Sequence, residues 1–190
     1  MGRPKESLIL DGETMLDRQI RLLGRICGSV AVVGAVVGAV PGGWAKAGTG
    51  IRLIRDDLPG QGPLGGIATG LRQTRAEFNL FLSCDLPFMT ARFLGYLCKQ
   101  ALAGRADVTV PETPMHDYQP LCAVYRRRAR LAVQATLAAG RNKVTGFYRR
   151  VRVRRILWPE IARADFKLHI FENMNTPAEY RAAARILNGF

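Results

Sequence analysis

Acidic residues are scarce in this sequence. Asp and Glu number 15 against 28 Lys and Arg in 190 residues, a formal net charge of +13. A chain this basic implies an anionic partner: nucleic acid, acidic lipid or a phosphate-bearing small molecule. Long apolar runs are also missing, and nothing reaches the about 18 uninterrupted apolar residues of a transmembrane helix. The nearest candidate, VAVVGAVVGAV at 30–40, is β-branched and broken by Gly34 and Gly38, so it reads as a buried strand and a turn. The start, MGRPKESLILDG, has neither an apolar core nor a small-residue cleavage site, so no secretory signal is expected and the cytoplasm is. Cys27, Cys84, Cys98 and Cys122 are scattered, without a C-x-x-C pair or nearby histidine spacing. That argues against structural zinc and for buried free thiols in a reducing compartment.

What is present has the composition of an ordinary soluble domain, 48% apolar and 23% charged, which excludes wholesale disorder and a disulfide-stapled scaffold. Short apolar runs alternate with amphipathic stretches, the pattern of an α/β layered domain. Helices are expected over 14–27, 63–74, 91–103, 127–139 and 177–187, with a shorter one over 141–148. Strands are expected over 30–37 and 51–55, in NLFLSCDLP, DVTVP and QPLCAVY, and as an edge or surface strand in VRVRRILW. No internal repeat or low-complexity linker interrupts this series, so residues 1–190 are read as a single domain.

Charge is unevenly distributed. Residues 126–155 hold 11 of the 28 basic residues and no acid. A solvated helix face with an arginine-protected edge strand accounts for part of this, and electrostatic focusing toward a phosphate-rich ligand for the rest. Three segments carry candidate chemistry where an open α/β sheet presents its ligand crevice, at the carboxyl ends of strands. In FLSCDLPF an apolar strand delivers Asp85 to its end, placed to hold Mg²⁺ against a nucleotide phosphate or simply to cap the next helix. In DDLPGQGPLGG the glycines allow close backbone approach to a ring or phosphate, and Pro63 opens a helix. A plain connecting turn is the alternative, and neither the GxGxxG nor the GxxxxGK[ST] spacing is present. In MGRPK, Lys5 is a compact charge suited to triphosphate oxygens.

These segments, followed by QPLCAVYRR and FENMNTPAEY, resemble in their order the molybdenum cofactor guanylyltransferases, bacterial enzymes that make molybdopterin guanine dinucleotide. The resemblance covers nearly all of the chain. The pairing of C-D-x-P-F with G-P-L-x-G upstream and N-x-N-T-P near the end is more specific than any one motif. It implies a three-layer Rossmann-like nucleotidyltransferase fold, of the nucleotide-diphospho-sugar transferase type, with a mostly parallel mixed sheet. It also implies transfer of GMP from Mg-GTP to molybdopterin with release of pyrophosphate. Its partners would be GTP, molybdopterin and a molybdoenzyme or its chaperone as recipient of the product, with no specific nucleic acid and no membrane.

Matched to the family, Lys5 contacts the GTP phosphates, Asp56 helps to bind the guanine nucleotide, and Gly62 belongs to the loop that admits base or ribose. Asp85 is the magnesium-binding aspartate. Gln119 and Pro120 stand near the pterin side of the cleft, Lys143 is the basic residue on that side, and Asn173 and Asn175 match paired asparagines. Catalysis in such a site is positioning plus charge neutralisation, by Mg²⁺ on Asp85 and by Lys5 and Arg3, without a nucleophilic side chain. His116 and His169 fall outside the strongest motifs and are read as ordinary.

Three features depart from the family pattern. Its members begin with a strand and L-A-G-G-x-S-x-R before M-G-x-x-K, whereas this chain starts at that methionine, so the natural start is expected upstream. Gly34 stands where some members place an asparagine near the nucleotide. Pro4 replaces a common aspartate and also occurs in the sibling cytidylyltransferases, which keeps CMP transfer, or transfer to a sugar phosphate, as the alternative reaction. From other classes, a non-catalytic relative and a basic nucleic-acid-binding protein remain as competing readings. The latter has few interleaved aromatics (Phe147, Tyr148 and Trp158) in its support.

Overall fold

A computed structural model describes residues 8–34 and 50–187. The chain enters through a two-residue hairpin, β1 (Ile9–Leu10) and β2 (Glu13–Thr14), turned at Asp11 and Gly12, which both have left-handed φ. Helix α1 (Met15–Gly24) follows, with the Thr14 hydroxyl accepting from the Asp17 N–H as its cap. Parallel strands β3 (Val30–Gly34) and β4 (Ile51–Arg55) come next, and α2 (Gly62–Gln73) then leads to β5 (Phe78–Leu82). After α3 (Ala91–Ala103) come β6 (Val108–Pro111), β7 (Cys122–Arg126), α4 (Arg130–Ala138) and β8 (Val153–Ile156). The chain closes with α5 (Trp158–Arg163) and α6 (Pro177–Leu187).

A mixed sheet is formed in the order β5-β7-β6-β8, with β7 antiparallel to β5 and β6, and β8 parallel to β6. β5, β6 and β8 therefore share one direction, and their carboxyl ends share one rim. Side-chain alternation along β7 sends Cys122 and Val124 to one face and Ala123 and Tyr125 to the other. On the first face they meet α3, whose Phe93, Leu94, Leu97 and Ala101 form a buried stripe, with α1 and α5 beside it. On the second face they meet α2 and α4 through Leu64, Ile67, Leu71 and Val133. Helices on both faces of a mostly parallel mixed sheet give the expected three-layer α/β class.

Several boundaries differ from expectation. The helix expected over 127–139 opens as a 3-10 turn, Arg127–Ala129, before α4, and that expected over 141–148 is a 3-10 helix, Val144–Arg150. Strand β3 matches 30–34 of the expected 30–37, and residues 35–37 lie outside the described residues. The hairpin and α5 were not anticipated.

Among the described residues the ladder is interrupted between β3 and β5. A cavity of about 670 Å³ opens there, lined among others by Val30 and Val33 of β3, Leu80 and Leu82 of β5, and Leu23 and Ile26 at the end of α1. α2 spans the two half-sheets. A Cβ built on Gly70 would lie 2.8 Å from the Phe81 ring on one side and 3.8 Å from Val33 on the other. Gly70→Ala is therefore expected to lower stability by about 1–3 kcal/mol by wedging the helix off Phe81, although alanine is the better helix former. Gly66→Ala meets nothing within 4 Å and is expected to raise stability by about 0.5–1 kcal/mol. Denaturant unfolding of the pair checks this, and equal effects would show that α2 is not clamped at Gly70.

Candidate active site

Asp85 sits just past β5, at the rim toward which β6 and β8 also run. Its peptide oxygen accepts from the Met174 N–H at 2.8 Å. Met174 is itself 1% exposed, packed with Leu10, Met15, Phe88 and Ala183. That contact brings Asn173 and Asn175 beside Asp85 from about ninety positions away in the sequence. Glu179 fixes the asparagine turn by accepting from the Asn175 and Thr176 N–H groups, while the Thr176 hydroxyl accepts from the Glu179 N–H, a reciprocal helix-entry arrangement. From the opposite side α1 grips the same loop: Arg18 Nε donates to Pro87 O at 2.8 Å, and the buried Gln19 donates to Leu86 O at 2.9 Å.

The two readings of Asp85 now separate. The next helix, α3, is capped by Thr90, whose hydroxyl accepts from the Phe93 N–H. Asp85 does not serve as its cap. Its Oδ1 is buried and has no hydrogen-bond partner among the described residues, a state unfavourable for a carboxylate and one that a cation relieves. Mg²⁺ fits this donor set, since it takes one or two carboxylates and completes its shell with water and substrate phosphate oxygens. Among the described residues no group of three or more His, Cys, Asp or Glu could hold a metal.

A second cluster occupies the β4–α2 junction. Asp56 Oδ1 accepts from the Leu58 N–H and from the Thr69 hydroxyl, both at 3.0 Å, so this carboxylate shapes the Gly/Pro loop directly. Gly60 and Gly62 have φ of +83° and +59°, which explains glycine at both positions. Among the described residues α2 starts with no side-chain cap bond, and its first turn holds no acid, a start whose N–H groups and positive dipole end suit an anion. This is more than a connecting turn needs.

The third cluster surrounds the start of β7. Gln119 donates its N–H to Pro111 O at 3.0 Å, and Pro120 O accepts from the Tyr125 hydroxyl at 2.7 Å. Tyr125 also meets the Tyr148 hydroxyl at 3.3 Å, and Tyr148 stacks edge-on against Tyr118. Tyr148 lies in the 3-10 helix that follows Lys143, so this tyrosine network joins Pro120 to the segment that Lys143 precedes. Lys5 lies outside the described residues.

Sequence reasoning missed Thr69, Met174 and Gln19. The N-x-N motif marked the asparagines, but the intervening methionine is the residue that docks them. The basic stretch is partly structural, because Arg126, Arg128, Arg154 and Arg155 pair with Glu77, Asp107, Glu160 and Glu112. Cys27, Cys98 and Cys122 are free thiols, only Cys122 of them fully buried, and burial pushes the Cys98 thiol up to about 11. Among the described residues no helix is long and apolar enough to cross a membrane.

Burial also pushes the Tyr148 phenol up to about 12 and raises that of Tyr125. Both stay protonated in the folded chain, whereas an unfolded tyrosine ionises near about 10. Their contribution to stability is thus intact below pH of about 10 and lost as pH rises toward about 12. Melting temperature is expected to fall steeply across that window, and Tyr148→Phe to flatten the fall. A variant as pH-sensitive as the parent would contradict the assignment.

A sequence profile described as a MobA-like NTP transferase domain matches residues 1–153. A probable molybdenum cofactor guanylyltransferase of Methanothermobacter thermautotrophicus is 36% identical over 136 residues, 69% of this chain and 66% of that protein, just under two thirds of its length. The molybdenum cofactor guanylyltransferase of Desulfosudis oleivorans is 31% identical over 182 residues, 96% of this chain and 86% of that protein. Among solved structures, molybdopterin-guanine dinucleotide biosynthesis protein A from Archaeoglobus fulgidus superposes with a TM-score of 0.82 at 21% identity, covering 100% of this chain and 93% of that one.

Proposed function

The chain belongs to the MobA-like NTP transferase family, and on that premise we propose that it transfers GMP from Mg-GTP to molybdopterin in the cytoplasm. The observation that carries this reading is the convergence at one rim of Asp85, with its unpartnered buried Oδ1, and the Asn173–Asn175 turn docked on its backbone. In the reaction a terminal phosphate oxygen of molybdopterin attacks the α-phosphorus of GTP. The new P–O bond forms as the bond to the β-phosphate oxygen breaks, and pyrophosphate leaves.

The chemistry asks for charge neutralisation and alignment rather than a nucleophilic side chain. The Gly60–Gly62 loop and the uncapped start of α2 receive the nucleotide, with Asp56 holding the loop in shape. Asp85 holds the metal, which when bound supplies Lewis-acid neutralisation of the phosphates. Lys5 and Arg3 add positive charge to the triphosphate. Gln119, Pro120 and Lys143 form the acceptor side with Asn173 and Asn175, with Pro120 held by the Tyr125–Tyr148–Tyr118 network. A molybdoenzyme or its chaperone would receive the product.

Asp85→Asn is expected to lower turnover by about 10²–10³-fold with little change in melting temperature, and chelation of the metal to abolish turnover. Unchanged turnover in the variant would overturn the role of Asp85. Calorimetric titration with GTP, CTP and ATP in Mg²⁺ should rank GTP tightest, and tighter CTP binding would make the enzyme a cytidylyltransferase.

A further inference from the structure

Glu112 lies just past β6, at the same rim as Asp85. Its N–H donates to Ile156 O at 2.9 Å, and an antiparallel bridge pairs it with Tyr118. Its side chain is 4% exposed, an unfavourable position for a carboxylate unless cations surround it. Two basic groups do. Oε1 lies 2.7 Å from His116 Nδ1, and Oε2 lies 3.6 Å from Arg155 Nη1, close enough for an ion pair yet without a hydrogen bond.

The loop is bent to make the first contact. His116 takes a φ of +61°, unusual outside glycine. Its N–H donates to Thr113 O, and the Asp117 N–H donates to the Thr113 hydroxyl. The outcome is a buried anion anchoring two outward side chains, 86% exposed at His116 and 55% at Arg155. With Nδ1 engaged, Nε2 is the nitrogen a ligand can use, and the guanidinium keeps donors beyond those facing Glu112. Nε2 donates only in the protonated ring, where both ring N–H groups are donors; in that form it and the guanidinium, on neighbouring elements, suit a tetrahedral oxyanion. Gln119 is next to them, since its N–H bonds Pro111, the residue before Glu112.

We propose that His116 and Arg155 bind the phosphate group of the acceptor, and that Glu112 is the positioning residue that holds both. The identity of the acceptor rests on the transfer reaction proposed above; binding of phosphate does not.

The chain has two histidines, which supplies an internal control. His169 is also exposed and sits edge-on to Phe88. Inorganic phosphate is titrated into the protein in the presence of chelator while the two imidazole signals are followed by NMR. The His116 signal should move saturably and the His169 signal should not. Arg155→Gln, at an exposed position, should weaken phosphate about tenfold, and Glu112→Gln by about tenfold or more. In turnover assays both variants should raise the acceptor KM while leaving kcat near the parent value, a split that a merely structural pin would not produce. Joint drift of both histidines, no response at His116, or parental affinity in a folded Glu112→Gln would overturn the subsite. A phosphate response without any transfer would leave the subsite standing and remove the reaction. Transfer without a His116 response would remove the subsite alone.

Discussion

One backbone hydrogen bond, from the Met174 N–H to Asp85 O, brings the Asn173–Asn175 turn to the acidic end of β5. Asp85 alone is a carboxylate at a strand end. Docking of Met174 against Leu10, Met15 and Phe88 adds the two asparagines and ties the C-terminal helix to the N-terminal hairpin, where Tyr180 donates to Ile9 O. The loop is clamped from both directions, by Met174 and by Arg18 and Gln19 of α1. Rigid support of that kind is what the metal role proposed for Asp85 requires.

The interrupted sheet places a matching demand on α2. This helix packs against α4 and the β7 face through Leu64, Ile67 and Leu71, and approaches β3 at the Gly70 position. It therefore keeps the two half-sheets in register across the cavity while presenting its uncapped start to the nucleotide loop. Its structural role and the binding role proposed for its start meet in one element.

Much of this was legible in the sequence because the signals were local. An apolar run stopping at Asp85, a Gly/Pro segment before α2 and the N-x-N-T-P turn before α6 each announce a strand end or helix start, and the bounds of α3 and α6 match expectation. What stayed hidden was non-local or short. Nothing near Met174 signals that it docks on Asp85, and nothing near Arg126 or Arg128 signals Glu77 or Asp107, so the acid-free stretch looked more unbalanced than it is. Strands β1 and β2 have two residues each and α5 has six, too few for a period to register. Glu112 gave no signal because burial of a carboxylate follows from the bridge to Tyr118, a tertiary fact.

The net charge of +13 then reads as attraction for two phosphate-bearing substrates, with part of the excess neutralised inside the fold. The most direct measurement of the central claim is the product itself, read by mass spectrometry after the purified protein is mixed with molybdopterin and Mg-GTP. The account predicts molybdopterin guanine dinucleotide and pyrophosphate in equal amounts. Intact GTP and molybdopterin beside a folded protein, or GTP hydrolysis without dinucleotide, would contradict it.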